Sequence, residues 1–267
     1  DYILTAAHCL EAWTSYFVAV GEHYLFQGYD EATESYLLAN GKNYKQNPNL
    51  YQTFPAIIHE DWDPITVMND IGLLKTRYRI KFSDSVVPAC LMTPEMEATF
   101  SGYYNLYYPD QQFTYSMNDF WATGWGRLAQ NSNETPDRFY LQKINLPFVD
   151  RQTCGNLIYD GQRIPDNMMC AGPMDGGKGV CRGDSGGPLA MRWYSDQWVV
   201  VGVTSWGRGC SDANSPQVWA SVAHFADWIY EKTRGVVSEV ELCHPGYESY
   251  WDDREGRYAC TGYPDRS

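Results

Sequence analysis

Three short segments far apart in this sequence carry the parts of one reactive group, so any fold of the chain must bring them together. They are Thr5–Cys9 (TAAHC) with His8, Asn69–Leu74 (NDIGLL) with Asp70, and Gly183–Pro188 (GDSGGP) with Ser185. A serine hydroxyl is a good nucleophile only when a base takes its proton and a third group orients that base. The glycines around Ser185 allow a tight turn and leave backbone N–H groups that can stabilise an oxyanion.

One alternative follows from the same serine segment. Residues 183–187 also satisfy the G-x-S-x-G pattern of α/β-hydrolases, in which serine precedes the acid and the histidine. His224 and His244 do lie downstream. However, no strand-turn-helix pattern surrounds Ser185, and the chain continues with the β-rich run Trp198–Val203. The order His, Asp, Ser therefore disfavours a lipase or esterase.

Further landmarks occur in a characteristic order: Thr123–Gly126 (TGWG), Cys170–Gly172 (CAG), Gly176–Lys178 (GGK) and Ser205–Gly207 (SWG). With the three motifs, they make the chain resemble the trypsin-like serine endopeptidases of the chymotrypsin fold from residue 1 to about Arg234. This resemblance implies an all-β protein of two six-stranded antiparallel Greek-key barrels with the active site between them. Barrel one would cover about residues 1–88, barrel two about 89–220, and a C-terminal helix about 221–234.

The residue patterns agree with that fold class. Short alternating segments such as Phe17–Val20 and Gln197–Ser205, separated by Gly, Pro, Asn and Asp, are typical of antiparallel sheets. The helix at 221–234 is indicated by apolar residues at helical spacing, with Gly235 as a C-cap. Residues 236–267 form an acidic, cysteine-containing segment, either a disulfide-closed tail or the start of another module.

The resemblance implies a role for each motif residue. His8 would be the general base, Asp70 would orient it, and Ser185 would form an acyl-enzyme. The N–H groups of Gly183 and Ser185 would form the oxyanion hole. Ser205 would support Asp70, and the backbone of Ser205, Trp206 and Gly207 would pair with an extended substrate.

The predicted specificity pocket differs from that of trypsin. By resemblance, Gly179, next to Val180, replaces the aspartate of the pocket floor, and Gln217 replaces a glycine and narrows the pocket. Without the floor carboxylate, a substrate Lys or Arg would bury an unpaired charge. Arg182 and Arg208 make the rim basic. We expect a preference for small, polar or acidic side chains and little trypsin-like cleavage.

Eight cysteines indicate an oxidising compartment. The resemblance implies disulfides Cys154–Cys170 and Cys181–Cys210, and a tail pair Cys243–Cys260 is expected. Cys9 and Cys90 then have no partner. Relatives pair these positions with cysteines further upstream, Cys90 often with a pro-segment or stem. The sequence therefore predicts that both partners and the opening strands precede Asp1, with two free thiols as the alternative.

Activation is predicted to involve Asp184. In the family that the chain resembles, a newly freed N-terminal amine pairs with the aspartate that precedes the catalytic serine. Asp1 lies only seven residues before His8, so this amine is expected upstream of the chain. The 267 residues alone are therefore expected to be an inactive zymogen-like form, in which the unpaired Asp184 turns outward or displaces Gly183.

Charge and composition limit the partners. A net charge of −13 argues against nucleic acid and anionic membranes, and the apolar runs are too short to span a bilayer. The remaining histidines show no zinc-ligand spacing, so neither a metal nor a cofactor is expected. Asn133 begins a glycosylation sequon. These features predict a secreted endopeptidase acting on proteins or peptides; the alternative is a non-catalytic homologue that acts as a binding protein.

Overall fold

The computed structural model describes ten segments of the chain: residues 1–12, 15–24, 28–30, 35–37, 49–98, 120–128, 140–192, 197–233, 247–252 and 257–262. For 28–30, 35–37, 247–252 and 257–262 the description is limited to the backbone. The predicted all-β, two-barrel fold is confirmed, because strands dominate and form curled antiparallel sheets.

The strands follow one another along the chain with few helices between them. They are β1 (Tyr2–Thr5), β2 (Phe17–Ala19), β3 (Gly28–Asp30), β4 (Ser35–Leu37), β5 (Leu50–Gln52), β6 (Ile57–Ile58), β7 (Gly72–Lys75), β8 (Cys90–Leu91), β9 (Phe120–Gly124), β10 (Gln142–Leu146), β11 (Phe148–Val149), β12 (Met168–Ala171), β13 (Pro188–Arg192), β14 (Trp198–Trp206), β15 (Gln217–Ser221), β16 (Tyr247–Asp252) and β17 (Arg257–Gly262). The helices among the described residues are a 3₁₀ turn at Ala7–Cys9, a helical segment at 94–98, α1 (Arg151–Ile158) and α2 (Ala226–Thr233).

In the first half of the chain, strand pairing brings two of the motifs together. β7 pairs with β1 on one side and β6 on the other, and β2 pairs with β5. The register of β1 on β7 sets Thr5 opposite Gly72. The 3₁₀ turn that follows β1 therefore begins next to the residues that precede β7, which places His8 beside Asp70.

The second half forms one sheet in the order β10-β9-β13-β14-β15-β12-β11, with β8 parallel to β14. The nine-residue β14 coincides closely with the predicted strand at 197–205. Its residues Val199, Val201 and Val203 are buried, as is Trp219 on β15. This core holds both the Ser185 turn before β13 and the end of β14 in place.

Two apolar residues of neighbouring strands, Phe120 and Met191, pack together in the core of this sheet. The two residues lie directly opposite each other on β9 and β13. Phe120 is fully buried and Met191 is 2% exposed. Their contact fills the core without a covalent bond.

The helices differ from the prediction in two respects. α2 begins at Ala226 rather than near 221, because 222–225 form turns. Helix α1 was not predicted from the sequence. Its N-cap is Asp150, whose carboxylate accepts the backbone N–H groups of Gln152 and Thr153, so capping starts a helix that has no strong apolar pattern.

The structure forms the predicted disulfides Cys154–Cys170 and Cys181–Cys210. The alternative of a free thiol at Cys90 is wrong, because Cys90 is disulfide-bonded. The pro-segment or stem expected through Cys90 stays a prediction. Cys9 is a free cysteine.

Several predictions fall outside the described side chains. The Cys243–Cys260 pair and the sequon at Asn133 belong to this group. In the tail, the described backbone is a hairpin in which β16 pairs with β17. No helix in the described part of the chain is long and apolar enough to cross a membrane.

Candidate active site

His8 and Asp70 form a close pair at the junction of β1 and β7. Nδ1 of His8 lies 2.7 Å from Oδ2 of Asp70, and the backbone N–H of His8 donates to Oδ1 at 2.9 Å. His8 therefore makes a hydrogen bond with each carboxylate oxygen of Asp70. The second bond holds the backbone of His8 as well as its ring, so the orientation of the imidazole is set from two directions.

Asp70 is almost inaccessible to solvent, with only 2% of its surface exposed. Besides His8, it accepts a hydrogen bond of 2.5 Å from the hydroxyl of Ser205. Ser205 lies at the end of β14, where the register with β15 shifts. A buried carboxylate is tolerated only when donors compensate for its lost hydration, and these three donors do so.

The Ser185 turn packs against the segment that carries His8. The N–H of Gly186 donates to the carbonyl of Thr204 at 2.9 Å. A methyl group added at Gly186 would meet Thr5 and Ala6 and would lie 3.2 Å from Sγ of Cys9. Ser185 itself is exposed. The turn that carries Ser185 therefore lies against the segment that carries His8.

One contact differs from the expected arrangement. Nε2 of His8 lies 3.5 Å from Sγ of Cys9, and among the described residues no hydrogen bond joins His8 to Ser185. Bonds between a catalytic base and a nucleophile are often long without a bound substrate. The hydrogen bond to Asp70, with a smaller contribution from Cys9, raises the pKa of His8 above its usual value.

The turn around Ser185 leaves two backbone donors available. Within the described part of the chain, the N–H groups of Gly183 and Ser185 donate to no protein acceptor, whereas that of Asp184 donates to the carbonyl of Cys181. Gly183 has φ +102°, a backbone conformation that favours glycine. The two predicted oxyanion donors are therefore free to bind an anionic oxygen.

Asp184 does not turn outward, which contradicts the first of the two expected arrangements; displacement of the Gly183 N–H, the second, stays a prediction. Its Oδ1 accepts the N–H of Gly126 at 2.8 Å, and its Oδ2 accepts the N–H of Cys181 at 2.9 Å. Burial raises the pKa of this carboxyl group, while the two N–H donors counteract that effect. These two backbone donors stabilise the inward carboxylate, and no local sequence pattern indicates them.

A cavity of about 200 Å³ adjoins Asp184. Its wall includes Gly126, Lys143 and Lys178, together with Gly179 and Val180 from the predicted pocket wall. No ion pair involves Asp184 among the described residues. The cavity thus combines a partly buried carboxylate with space for a further group.

The predicted specificity residues lie together around the Cys181–Cys210 disulfide. Gln217 is 5% exposed, and its Nε2 lies 3.4 Å from the carbonyl oxygens of Gly209 and Ser215. A methyl group added at Gly207 would collide with the Gln217 amide. The amide therefore fills the space next to the predicted substrate-pairing strand.

The remaining predicted binding residues have different surroundings. Val180 is buried in the core, while Arg182 is exposed. Gly179 lies against the carbonyl of Cys210, with which any added methyl group would collide. An aspartate at position 179 therefore does not fit this backbone. Trp206 is partly buried, and its indole N–H has no partner among the described residues.

Sequence reasoning missed two residues of the site. Gly126 belongs to the TGWG landmark, but only the fold shows that its N–H binds Asp184; a side chain there would collide with the carboxylate. Cys9 follows His8 directly in the sequence, yet a 3₁₀ turn is needed to point its thiol towards Nε2. Among the described residues, no group of His, Cys, Asp and Glu could hold a metal ion.

Comparison with known proteins agrees with this geometry. The sequence model of the Trypsin family matches residues 1–229. The chain is 33% identical to coagulation factor XI from Bos taurus over 237 residues, which are 88% of this chain and 32% of that protein. It is 32% identical to chymotrypsin-C from Mus musculus over 234 residues, 87% of this chain and 74% of that protein. The chain therefore belongs to the trypsin family of serine proteases.

Proposed function

We propose that this protein is a secreted serine endopeptidase that cleaves proteins or peptides through an acyl-enzyme. The observation that carries the proposal is the coupling of His8 to the buried Asp70 by two hydrogen bonds, beside the turn that presents Ser185. A packing role alone does not require a carboxylate 2% exposed to be directed at a partly exposed imidazole. The resemblance and the comparisons support the same assignment.

In the proposed mechanism, unprotonated His8 removes the proton of the Ser185 hydroxyl as its oxygen attacks the scissile carbonyl. Asp70 then stabilises the imidazolium. The N–H groups of Gly183 and Ser185 bind the oxyanion. His8 donates its proton to the leaving amine, which departs. His8 next takes a proton from water as the water oxygen attacks the acyl group. It then returns that proton to the Ser185 oxygen, which leaves as the carboxylic acid is released.

Asp184 is proposed to couple activation to the oxyanion hole. It lies between Gly183 and Ser185, and its carboxylate holds the backbone of Gly126 and Cys181. A cationic group entering the adjoining cavity, such as an amine freed by proteolysis, would compensate for the burial of the carboxylate. The cavity beside Asp184 offers room for such an amine, which supports the inactive, zymogen-like form that the resemblance implies in its absence.

The specificity pocket is proposed to accept small side chains rather than Lys or Arg. Gln217 occupies the space next to Gly207, and no carboxylate is available at position 179. A basic side chain would have no charged partner there. Secretion is supported by the Cys154–Cys170 and Cys181–Cys210 disulfides, which are typical of oxidising compartments.

The decisive experiment is titration of the processed protein with a fluorophosphonate, which labels only activated serines. We expect one equivalent of label on Ser185, with none on Ser185→Ala and normal labelling of Ser211→Ala. A protein that folds but takes up no label, and hydrolyses neither ester nor peptide, would contradict this proposal. That result would favour the non-catalytic binding homologue.

A further inference from the structure

Three exposed arginines lie close to the proposed substrate-binding backbone. They are Arg127, Arg182 and Arg208. Among the described residues, none of the three is in an ion pair. The whole chain has 33 acidic and 20 basic residues, so carboxylates are abundant as potential partners. These three arginines therefore form a local group of positive charge on a chain whose net charge is negative.

Two interactions fix the backbones of these arginines relative to one another. The N–H of Arg127 donates to the carbonyl of Arg182 at 2.9 Å. Arg182 follows Cys181, whose disulfide partner Cys210 lies two residues after Arg208, with the two cysteine α-carbons 4.7 Å apart. The three side chains thus project from a rigid frame, and only their rotamers remain free.

The same frame carries the proposed catalytic backbone. Arg182 directly precedes Gly183, a proposed oxyanion donor, and Arg208 directly follows Gly207 of the substrate-pairing segment. The neighbouring carboxylates do not neutralise them: Asp184 is turned towards backbone N–H groups, and Asp212 forms no ion pair with the three arginines among the described residues.

We propose that the three arginines select substrates with acidic side chains within about three residues of the scissile bond. The inference rests on the proposed endopeptidase function. An extended substrate rises about 3.3 Å per residue, so three residues on either side span about 10 Å. This is comparable with the Debye length of about 8 Å at physiological ionic strength. Each guanidinium can also bind a carboxylate through two hydrogen bonds.

The test uses two peptides that share a small residue before the scissile bond. One carries Asp or Glu at the flanking positions, and the other carries Asn or Gln there. We expect kcat/KM of the processed enzyme to be about tenfold higher for the acidic peptide, because an exposed ion pair contributes about two- to fivefold. High salt should reduce this ratio. Equal cleavage of the two peptides would overturn the inference.

Substitutions identify the arginines responsible. In Arg127→Gln, Arg182→Gln and Arg208→Gln, the acidic-to-neutral ratio should fall about two- to fivefold each. Arg79→Gln is the matched control, since Arg79 is 84% exposed and makes only a long contact of 3.9 Å with Asp1; its ratio should not change. An unchanged ratio in all three arginine variants would overturn the inference.

Binding separates this inference from the proposed function. Fluorescence anisotropy of the labelled peptides with Ser185→Ala needs no catalysis, and the acidic peptide should bind about tenfold more tightly. If the wild-type protein hydrolyses neither peptide but Ser185→Ala retains this preference, the endopeptidase proposal fails and the arginine site stands. If both peptides are cleaved but bound equally, the arginine site fails alone.

Discussion

Replacement of Gln217 by glycine tests how the chain narrows its pocket. The side chain is 5% exposed and is held by two long hydrogen bonds of 3.4 Å. Its removal frees the space of five heavy atoms next to Gly207. Because the lost hydrogen bonds are long and glycine in a strand costs about 0.5–1 kcal/mol, we expect the variant to remain folded.

The expected gain follows from the size of the freed space. Each buried methylene contributes about 0.8 kcal/mol, so norvaline, which has two more methylenes than alanine, gains about 1.6 kcal/mol. This corresponds to about fifteenfold in rate. In Gln217→Gly, the kcat/KM ratio of norvaline to alanine at the residue before the scissile bond should rise by about that factor.

The assay is steady-state hydrolysis of peptide substrates that differ only at that residue, from glycine to norleucine. The matched control is Gln197→Gly, which makes the same chemical change just before β14. We expect it to leave the ratio unchanged. If Gln217→Gly folds normally and keeps the wild-type ratio, its side chain does not limit the pocket and the reasoning is wrong.

Three further substitutions test the catalytic group. Ser185→Ala should lose peptide and ester hydrolysis in the processed protein while keeping its thermal unfolding midpoint; more than about a thousandth of wild-type activity would argue against this nucleophile. In Cys9→Ala, loss of the thiol contact should lower the pKa of His8, so the unprotonated base forms at lower pH. The acidic limb of the pH profile of kcat/KM should therefore shift to lower pH. An acidic limb at the wild-type pH would contradict the coupling of Cys9 to His8. Gly126→Ala should drive a methyl group into the Asp184 carboxylate. We expect a loss of about 1–3 kcal/mol in the free energy of unfolding, measured by urea unfolding, and the loss of most activity, measured by burst kinetics. A fully stable and active variant would exclude this collision.

Much of the site was predictable because its chemistry restricts the residue types. Nucleophilic catalysis by a serine needs a base and an orienting acid, so His8, Asp70 and Ser185 could be proposed before any fold was known. The ordered landmarks then gave a resemblance to a family whose fold has two barrels, and the strand pairing confirms that fold.

Other features were missed because they depend on contacts that no local pattern records. Helix α1 has only a weak apolar pattern, and its start is decided by the capping carboxylate of Asp150. The sequence could not decide between a disulfide and a free thiol at Cys90, because disulfide connectivity depends on which cysteines the fold brings close. The steric limit at Gly179 comes from the carbonyl of Cys210, thirty-one residues further along the chain.

The sequence by itself determined the catalytic residue types and the excess of negative charge, which follow from motif order and composition, and it indicated the fold class through the resemblance that its motifs carry. Only the tertiary structure decided that Asp184 turns inward, that the Cys9 thiol faces His8, and that Arg127 lies against Arg182. The reason is physical. Hydrogen bonding and burial depend on distances between residues far apart in the chain, and these distances exist only once the sheets have paired.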